Sequence, residues 1–217
     1  MRLKERIYCI EGVWDWGDRE VEPSVEPILH LLRGLDLWDY VRRDCATTDE
    51  FKHYVQGEWW KRCRPGSILY IASHGDKGSV SLSGDHFLDL GQVATFLEPI
   101  GCEGRLVHFG GCNVLNHKGK VVDFIKRTGA SAVSGYGTEI AWTDQEFAPA
   151  VALELLFFSS ISSQDISSTH VGMRRRLLTT AEGLGKRFPD CEFGLYIKGA
   201  HPSYRPEGRI WRKGKPI

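Results

Sequence analysis

Residues 67–75 read Ser-Ile-Leu-Tyr-Ile-Ala-Ser-His-Gly, and residues 104–113 read Gly-Arg-Leu-Val-His-Phe-Gly-Gly-Cys-Asn. Each stretch is an apolar run that stops abruptly in small residues, with one reactive side chain at its end: His74 in the first, Cys112 in the second. Such a run fits a strand buried on both faces, which is how strands of a parallel sheet read. Strands that point the same way bring their C-terminal ends to one edge, and ligands bind outside those ends. A base and a nucleophile carried there on two strands would face each other.

Outward from these runs, strand and helix alternate. Arg6–Val13 is rich in β-formers. Ser24 is placed to cap a helix over Val25–Leu32, with Gly34 as the stop. Tyr40–Ala46 reads as a second strand whose Arg42 and Arg43 suit a sheet edge. Thr47-Thr48-Asp49-Glu50 has the capping-box pattern, and Phe51, Tyr54, Val55, Trp59 and Trp60 are expected on the buried face of the helix that follows. Alternation at Val80 and Leu82, then the Ser83-Gly84-Asp85 turn, predicts a small hairpin after the third strand. Further helices are expected over Leu90–Leu97, Val121–Thr128, Asp144–Phe158 and Val171–Arg187, with strands over Ala130–Gly135 and Glu192–Lys198 and a Ser-rich loop over Ser159–Thr169. Helical crossovers between strands imply an α/β fold, a largely parallel sheet with helices on both faces. Residues 1–199 read as one domain and residues 200–217 as a basic tail.

Composition narrows the function classes. The chain has 217 residues, 41% hydrophobic and 26% charged, with 28 basic residues balanced by 28 acidic ones. That balance argues against nucleic acid as the partner. No apolar run reaches the length of a membrane span. Met1–Arg6 leads straight into a strand without a long apolar stretch, so a cytoplasmic protein with reduced thiols is expected. The six cysteines are scattered, with no Cys-x-x-Cys pair and no Cys/His ligand spacing. Neither a metal nor another cofactor is expected.

The chemistry implied is that of a cysteine hydrolase. The thiolate is the nucleophile, and it needs an imidazole beside it and an oxyanion pocket. His74-Gly75 and Gly110-Gly111-Cys112 supply these parts, with the backbone amides of Gly75 and Cys112 as the oxyanion donors. An amidotransferase-type hydrolase is discounted, because the order here is His then Cys and position 114 is Val, where a G-x-C-x-G elbow needs Gly. His108 in mid-strand reads as a core residue, and His117 as a surface residue or a second histidine near the site.

The arrangement strand-Ser-His-Gly, hairpin, helix, strand-Gly-Gly-Cys resembles the clan of caspase-like cysteine peptidases. Phe124–Tyr136 is similar to the helix, Gly-Ala and strand that follow the nucleophile in its CHAT-like members, and Ala141-Trp142-Thr143-Asp144 to the Trp-then-Asp segment of the separase and CHAT branch, near the metacaspases. The likeness runs from about Arg6 to Lys198 in motif order. It implies a three-layer α-β-α sandwich around a mostly parallel six-stranded sheet. It also implies that Cys112 attacks the scissile carbonyl while His74 protonates the leaving amine and then activates water. The chain departs from caspases in having Gly-Gly rather than Gln-Ala before the nucleophile and Asn113 after it, and in lacking a long linker for a maturation cut.

The resemblance also implies an acidic pocket for a basic P1 side chain. Asp144 is its first candidate and Glu146 its second, although Asp144 is equally suited to cap the helix after it. Asp15 and Asp18 follow strand one in a loop that borders this pocket in the family, with a solvated acidic loop the favoured reading of that pair. No Arg or Lys lies in 135–146 to receive an acidic P1 residue. The expected partner is a protein or peptide substrate. An activating ligand or partner protein is expected as regulator, and a bacterial stress or antiviral defence role is carried over from CHAT-like relatives. The alternative is a catalytically inactive binding or signalling module on the same fold.

Overall fold

A computed structural model describes residues 6–14, 23–84, 86–140, 149–162, 170–198, 211–212 and 215–216. In chain order the elements are β1 (Ile7–Gly12), α1 (Glu26–Gly34), β2 (Tyr40–Cys45), α2 (Thr48–His53), a π-helical turn (Tyr54–Trp59), α3 (Trp60–Arg62), β3 (Ile68–Ala72), β4 (His74–Asp76), β5 (Ser79–Ser83), β6 (His86–Asp89) and α4 (Leu90–Leu97). They continue with β7 (Leu106–Phe109), α5 (Lys118–Thr128), β8 (Ala132–Tyr136), α6 (Pro149–Ser160), α7 (His170–Arg187) and β9 (Phe193–Ile197), and end in a short antiparallel pair, Trp211–Arg212 with Lys215–Pro216.

The main sheet has six strands in the order β2-β1-β3-β7-β8-β9, all parallel except for the last pair. β2 is an edge strand, as its arginines suggest. The two strands that carry the candidate dyad, β3 and β7, are neighbours at the centre, in register Ile68 with Leu106 through Ile71 with Phe109.

Strand alternation divides the interior into two layers. Ile7, Cys9, Ile68, Tyr70 and Leu106 face one side, where α1, α6 and α7 contribute Leu29, Leu32, Leu153, Phe157 and Leu184. Tyr8, Ile10, Leu69, Ile71, Val107 and Phe109 face the other, against Phe51, Val55, Val93, Leu97, Phe124 and Ile125. This is the expected α-β-α sandwich. Burying both faces of the sheet explains why its strands read as continuous apolar runs.

The Thr47 capping box and the Gly129 stop follow the sequence. The Thr47 hydroxyl accepts the Glu50 amide at 3.3 Å while the Glu50 carboxylate accepts the Thr47 amide at 3.0 Å, so the capping box is real. Ser24, expected as the cap of the first helix, is displaced from that role: α1 starts at Glu26 with Val25 at the N-cap position and no side-chain cap, and the Ser24 hydroxyl accepts the Glu26 amide at 3.0 Å from one residue further upstream. Gly129 ends α5 in the left-handed conformation, φ 73°. Other features differ from expectation. Trp60, expected on the buried face of the helix after Thr47, is exposed. The helix after Thr47 passes through a π turn at Tyr54–Trp59. The hairpin is a three-stranded antiparallel sheet, β4-β5-β6, whose first residue is His74 itself.

Candidate active site

His74 and Cys112 are brought to one edge by the geometry of two strand ends. β3 stops at Ala72, Ser73 turns the chain, and His74 enters β4 half-buried. β7 stops at Phe109, and the Gly110 amide continues the pairing by donating to the Ile71 carbonyl at 2.9 Å. The next two residues run against β4. A Cβ on Gly111 would lie 3.1 Å from the Gly75 Cα, and a Cβ on Gly75 would lie 2.5 Å from the Cys112 carbonyl oxygen. Only glycines let the backbones of the two segments meet so closely. Gly75 and Cys112, whose amides are the expected oxyanion donors, thus belong to segments in direct contact.

The Cys112 segment is fastened on both sides. Asn113 adopts φ 56°; its amide donates to the Thr138 carbonyl at 3.0 Å and its carbonyl accepts the Gly78 amide at 3.1 Å. Leu115 donates to the Tyr136 carbonyl at 2.9 Å. The nucleophile candidate is therefore held between the β4–β5 turn and the exit of β8.

The Cys112 thiol is half-buried beside the Ile140 peptide. The Ile140 amide donates to Sγ at 3.4 Å, and the thiol donates to the Ile140 carbonyl at 3.6 Å. Burial pushes the thiol pKa up; the Ile140 contact pulls it down, and the Glu139 and Asp76 carboxylates add to the rise. A raised pKa means that the thiol stays protonated at neutral pH and the thiolate appears only under alkaline conditions. Alkylation of Cys112 by iodoacetamide, followed by mass spectrometry, should therefore keep accelerating as pH climbs past the ordinary thiol value of 9.0. A plateau already at neutral pH would contradict this and mean that a thiolate pre-exists.

The pocket residues expected from sequence fall outside this picture. Asp15 and Asp18 lie in 15–22, and Asp144 and Glu146 in 141–148, both outside the described residues. The carboxylates that act on Cys112 among the described residues are Glu139 and Asp76, both exposed, with Lys77 3.7 Å from Asp76. Glu139 lies just ahead of the Trp-then-Asp segment on which the expected pocket rested, and its own sequence context carries no signal.

Other residues find plain places. His108 is fully buried, bonded to Ser134 Oγ at 2.7 Å and to Glu154 Oε1 at 2.8 Å, and Tyr136 donates to the same Glu154 oxygen at 2.8 Å. His117 is exposed just before α5. All six cysteines are free, five of them buried and Cys112 half-buried. Among the described residues no group of three or more His, Cys, Asp or Glu side chains could hold a metal ion. Nor is any helix of the described residues long and apolar enough to cross a membrane.

Sequence reasoning missed two further residues at this edge. Glu11 and Trp14 stand at and just beyond the end of β1, the neighbour of β3. Chain order doubles back there, β2 lying on one side of β1 and β3 on the other, so the β1–β3 boundary is the switch point where a crevice opens in sheets of this kind. The Trp14 ring packs edge-to-face with His74, centroids 5.0 Å apart. The available signal was a lone acid, Glu11, inside an otherwise apolar strand.

Comparison with known proteins agrees with this geometry at the level of fold. Residues 4–185 match the model of a family of unknown function, DUF6642. No curated protein matches the chain. Among solved structures, a secreted C11 cysteine protease from Bacteroides thetaiotaomicron, determined with an irreversible peptide inhibitor, is similar with a TM-score of 0.50 and 12% identity over 83% of this chain. The chain spans 59% of that protein's length. The shared feature is the caspase-like fold.

Proposed function

We propose that this chain, which belongs to the DUF6642 family of unknown function, is a cysteine endopeptidase using His74 and Cys112. The observation that carries the reading is the contact between the His74-Gly75 and Gly111-Cys112 segments at the C-terminal edge of two adjacent parallel strands. A sheet of this order presents its ligand site at that edge, and the similar C11 structure is that of a cysteine protease.

In the reaction, His74 takes the Cys112 proton and the thiolate attacks the scissile carbonyl. The Gly75 and Cys112 amides stabilise the oxyanion, and the imidazolium returns its proton to the leaving amine. The raised thiol pKa fits a nucleophile that is deprotonated only when substrate is in place. Cleavage after Arg or Lys is favoured by the charges of Glu139 and Asp76, which act on Cys112 and would attract a cation and repel an acidic P1 side chain. Asp144 and Glu146 keep their proposed pocket role, with Asp15 and Asp18 at its border. A ligand or partner protein that draws the thiol away from Ile140 would serve as the activator.

The test compares fluorogenic peptides bearing Arg, Lys, Asp or Asn at P1. The wild type should cleave the Arg and Lys peptides, and Cys112→Ala and His74→Ala should each lose activity by about 10³-fold or more, as for removal of a covalent nucleophile or its base. Equal turnover by Cys112→Ala and the wild type would sink the assignment. Cleavage after Asp alone would overturn the basic preference. One observation favours the alternative of an inactive binding module: the thiol is engaged with the Ile140 peptide, and burial pushes its pKa up. Absence of turnover with all four peptides, together with no labelling of Cys112 by an arginyl chloromethyl ketone, would decide for that alternative.

A further inference from the structure

We propose that Glu11 and Trp14 are positioning residues that hold the His74 ring in its working orientation. The inference rests on the reading of His74 as the base, and extends it to two side chains on a third strand.

Glu11 is an unusual member of its strand. All six residues of β1 are buried, and Glu11 is only 1% exposed. Its carboxylate is saturated: Oε1 accepts the Trp14 indole N–H at 2.8 Å and the Val25 amide at 2.7 Å, while Oε2 accepts the Ser24 hydroxyl at 2.9 Å and the Arg42 Nε. Two acceptor sites on each oxygen are thereby used. Arg42 reaches it from the edge strand β2, itself held by Asp44 at 2.6 Å. A carboxylate with four donors cannot swing, and the group it fixes that faces the site is Trp14.

Trp14 is 8% exposed and meets His74 at an interplanar angle of 72°. Edge-to-face rings prefer this geometry because the positive edge of one meets the negative face of the other. The contact fixes the angle at which the imidazole stands at the sheet edge. The chain of contacts therefore runs Arg42, Glu11, Trp14, His74. It orients the ring that is read as the base and as the proton donor to the leaving group. A Trp serving only as core filler would need no buried ionised partner for its N–H; a backbone carbonyl would do, as it does for Trp38, whose indole donates to the Phe158 carbonyl at 2.8 Å.

The test has an arm that does not depend on turnover. In Glu11→Gln the side-chain 1H–13C resonances of His74 should move, because the indole ring that shields them loses its tether, while those of the exposed His86 and His117 stay in place. In the kinetic arm, Glu11→Gln should lower kcat about tenfold and Trp14→Leu up to about 100-fold, with KM within about twofold of wild type, as expected when a reacting group is misplaced rather than substrate binding lost. Trp14→Phe, which keeps an aromatic ring but no N–H, should fall between the wild type and Trp14→Leu, and serves where Trp14→Leu does not fold. His74 resonances in Glu11→Gln that superimpose on the wild type would overturn the proposal, as would a rise in KM at unchanged kcat. If the wild type cleaves no peptide, the peptidase reading fails by itself, and the His74 resonances still decide whether Glu11 and Trp14 set the ring.

Discussion

Glu154→Ala is expected to cost about 3–5 kcal/mol of folding stability, the range for removing one member of a buried, hydrogen-bonded ionisable pair. Glu154 lies on α6, fully buried, and its Oε1 is shared by His108 from β7 and Tyr136 from β8. Truncation would leave His108 Nε2 and the Tyr136 hydroxyl without that partner and open a void in the layer formed by Phe157, Phe158 and Phe193. An orphaned buried polar group costs about 1–3 kcal/mol by itself. For a domain of this size the loss corresponds to a fall in Tm of roughly 10 °C. Glu154→Gln keeps an acceptor in place and should cost clearly less. The double variant Glu154→Leu with His108→Phe should cost less than the sum of its singles, because both ends of the buried contact are replaced by apolar groups. Urea unfolding of the wild type, Glu154→Ala, Glu154→Gln, the singles Glu154→Leu and His108→Phe, and their double variant measures this. A Glu154→Ala variant within about 1 kcal/mol of wild type would show that the contact contributes little net stability.

Gly75→Ala is the second large effect, and it should fall chiefly on activity. A Cβ there would sit 2.5 Å from the Cys112 carbonyl oxygen and 2.6 Å from Val114 Cγ2. The valine methyl can rotate aside, but the carbonyl is main chain and moves only with Cys112, the proposed nucleophile. Displacing a reacting group by about 1 Å costs about 100-fold in rate, and overpacking of this kind costs about 1–3 kcal/mol in stability. Gly119→Ala, inside α5 with open space around it, is the control and should be neutral or stabilising by up to about 1 kcal/mol. Full activity in Gly75→Ala would mean that the close approach of the two segments is irrelevant to the chemistry.

These two sites show what was legible and what was not. The strand ends at His74 and Cys112 could be read because an apolar run broken by Gly is a local signal, and because a parallel sheet fixes which end of each strand meets the ligand. The Thr47 capping box and the Gly129 stop were legible for the same reason. Glu154 was not. It sits in Leu-Glu-Leu-Leu-Phe-Phe, where a lone acid reads as the solvent face of a helix, and its partner His108 is 46 residues away in sequence. Glu11 failed in the same way, because its donors come from Trp14, Ser24, Val25 and Arg42, and two-state alternation along β1 says nothing of them. The π turn at Tyr54–Trp59 had no signal beyond Gly57, which also fits an ordinary helix. The expected pocket acids Asp15, Asp18, Asp144 and Glu146 lie outside the described residues.

The order β2-β1-β3-β7-β8-β9 has a dynamic consequence. The seam between β3 and β7 is the midline of the sheet, with three strands on each side. Local opening in a folded domain starts where the fewest neighbours must part, at edge strands and chain ends, and reaches the centre only in global unfolding. His74 and Cys112 issue from the two strands that would be last to exchange their amide hydrogens. The proposed dyad is thereby insulated from fraying at β2 and β9, and insertions or extensions at either edge could accumulate without disturbing the distance between thiol and imidazole.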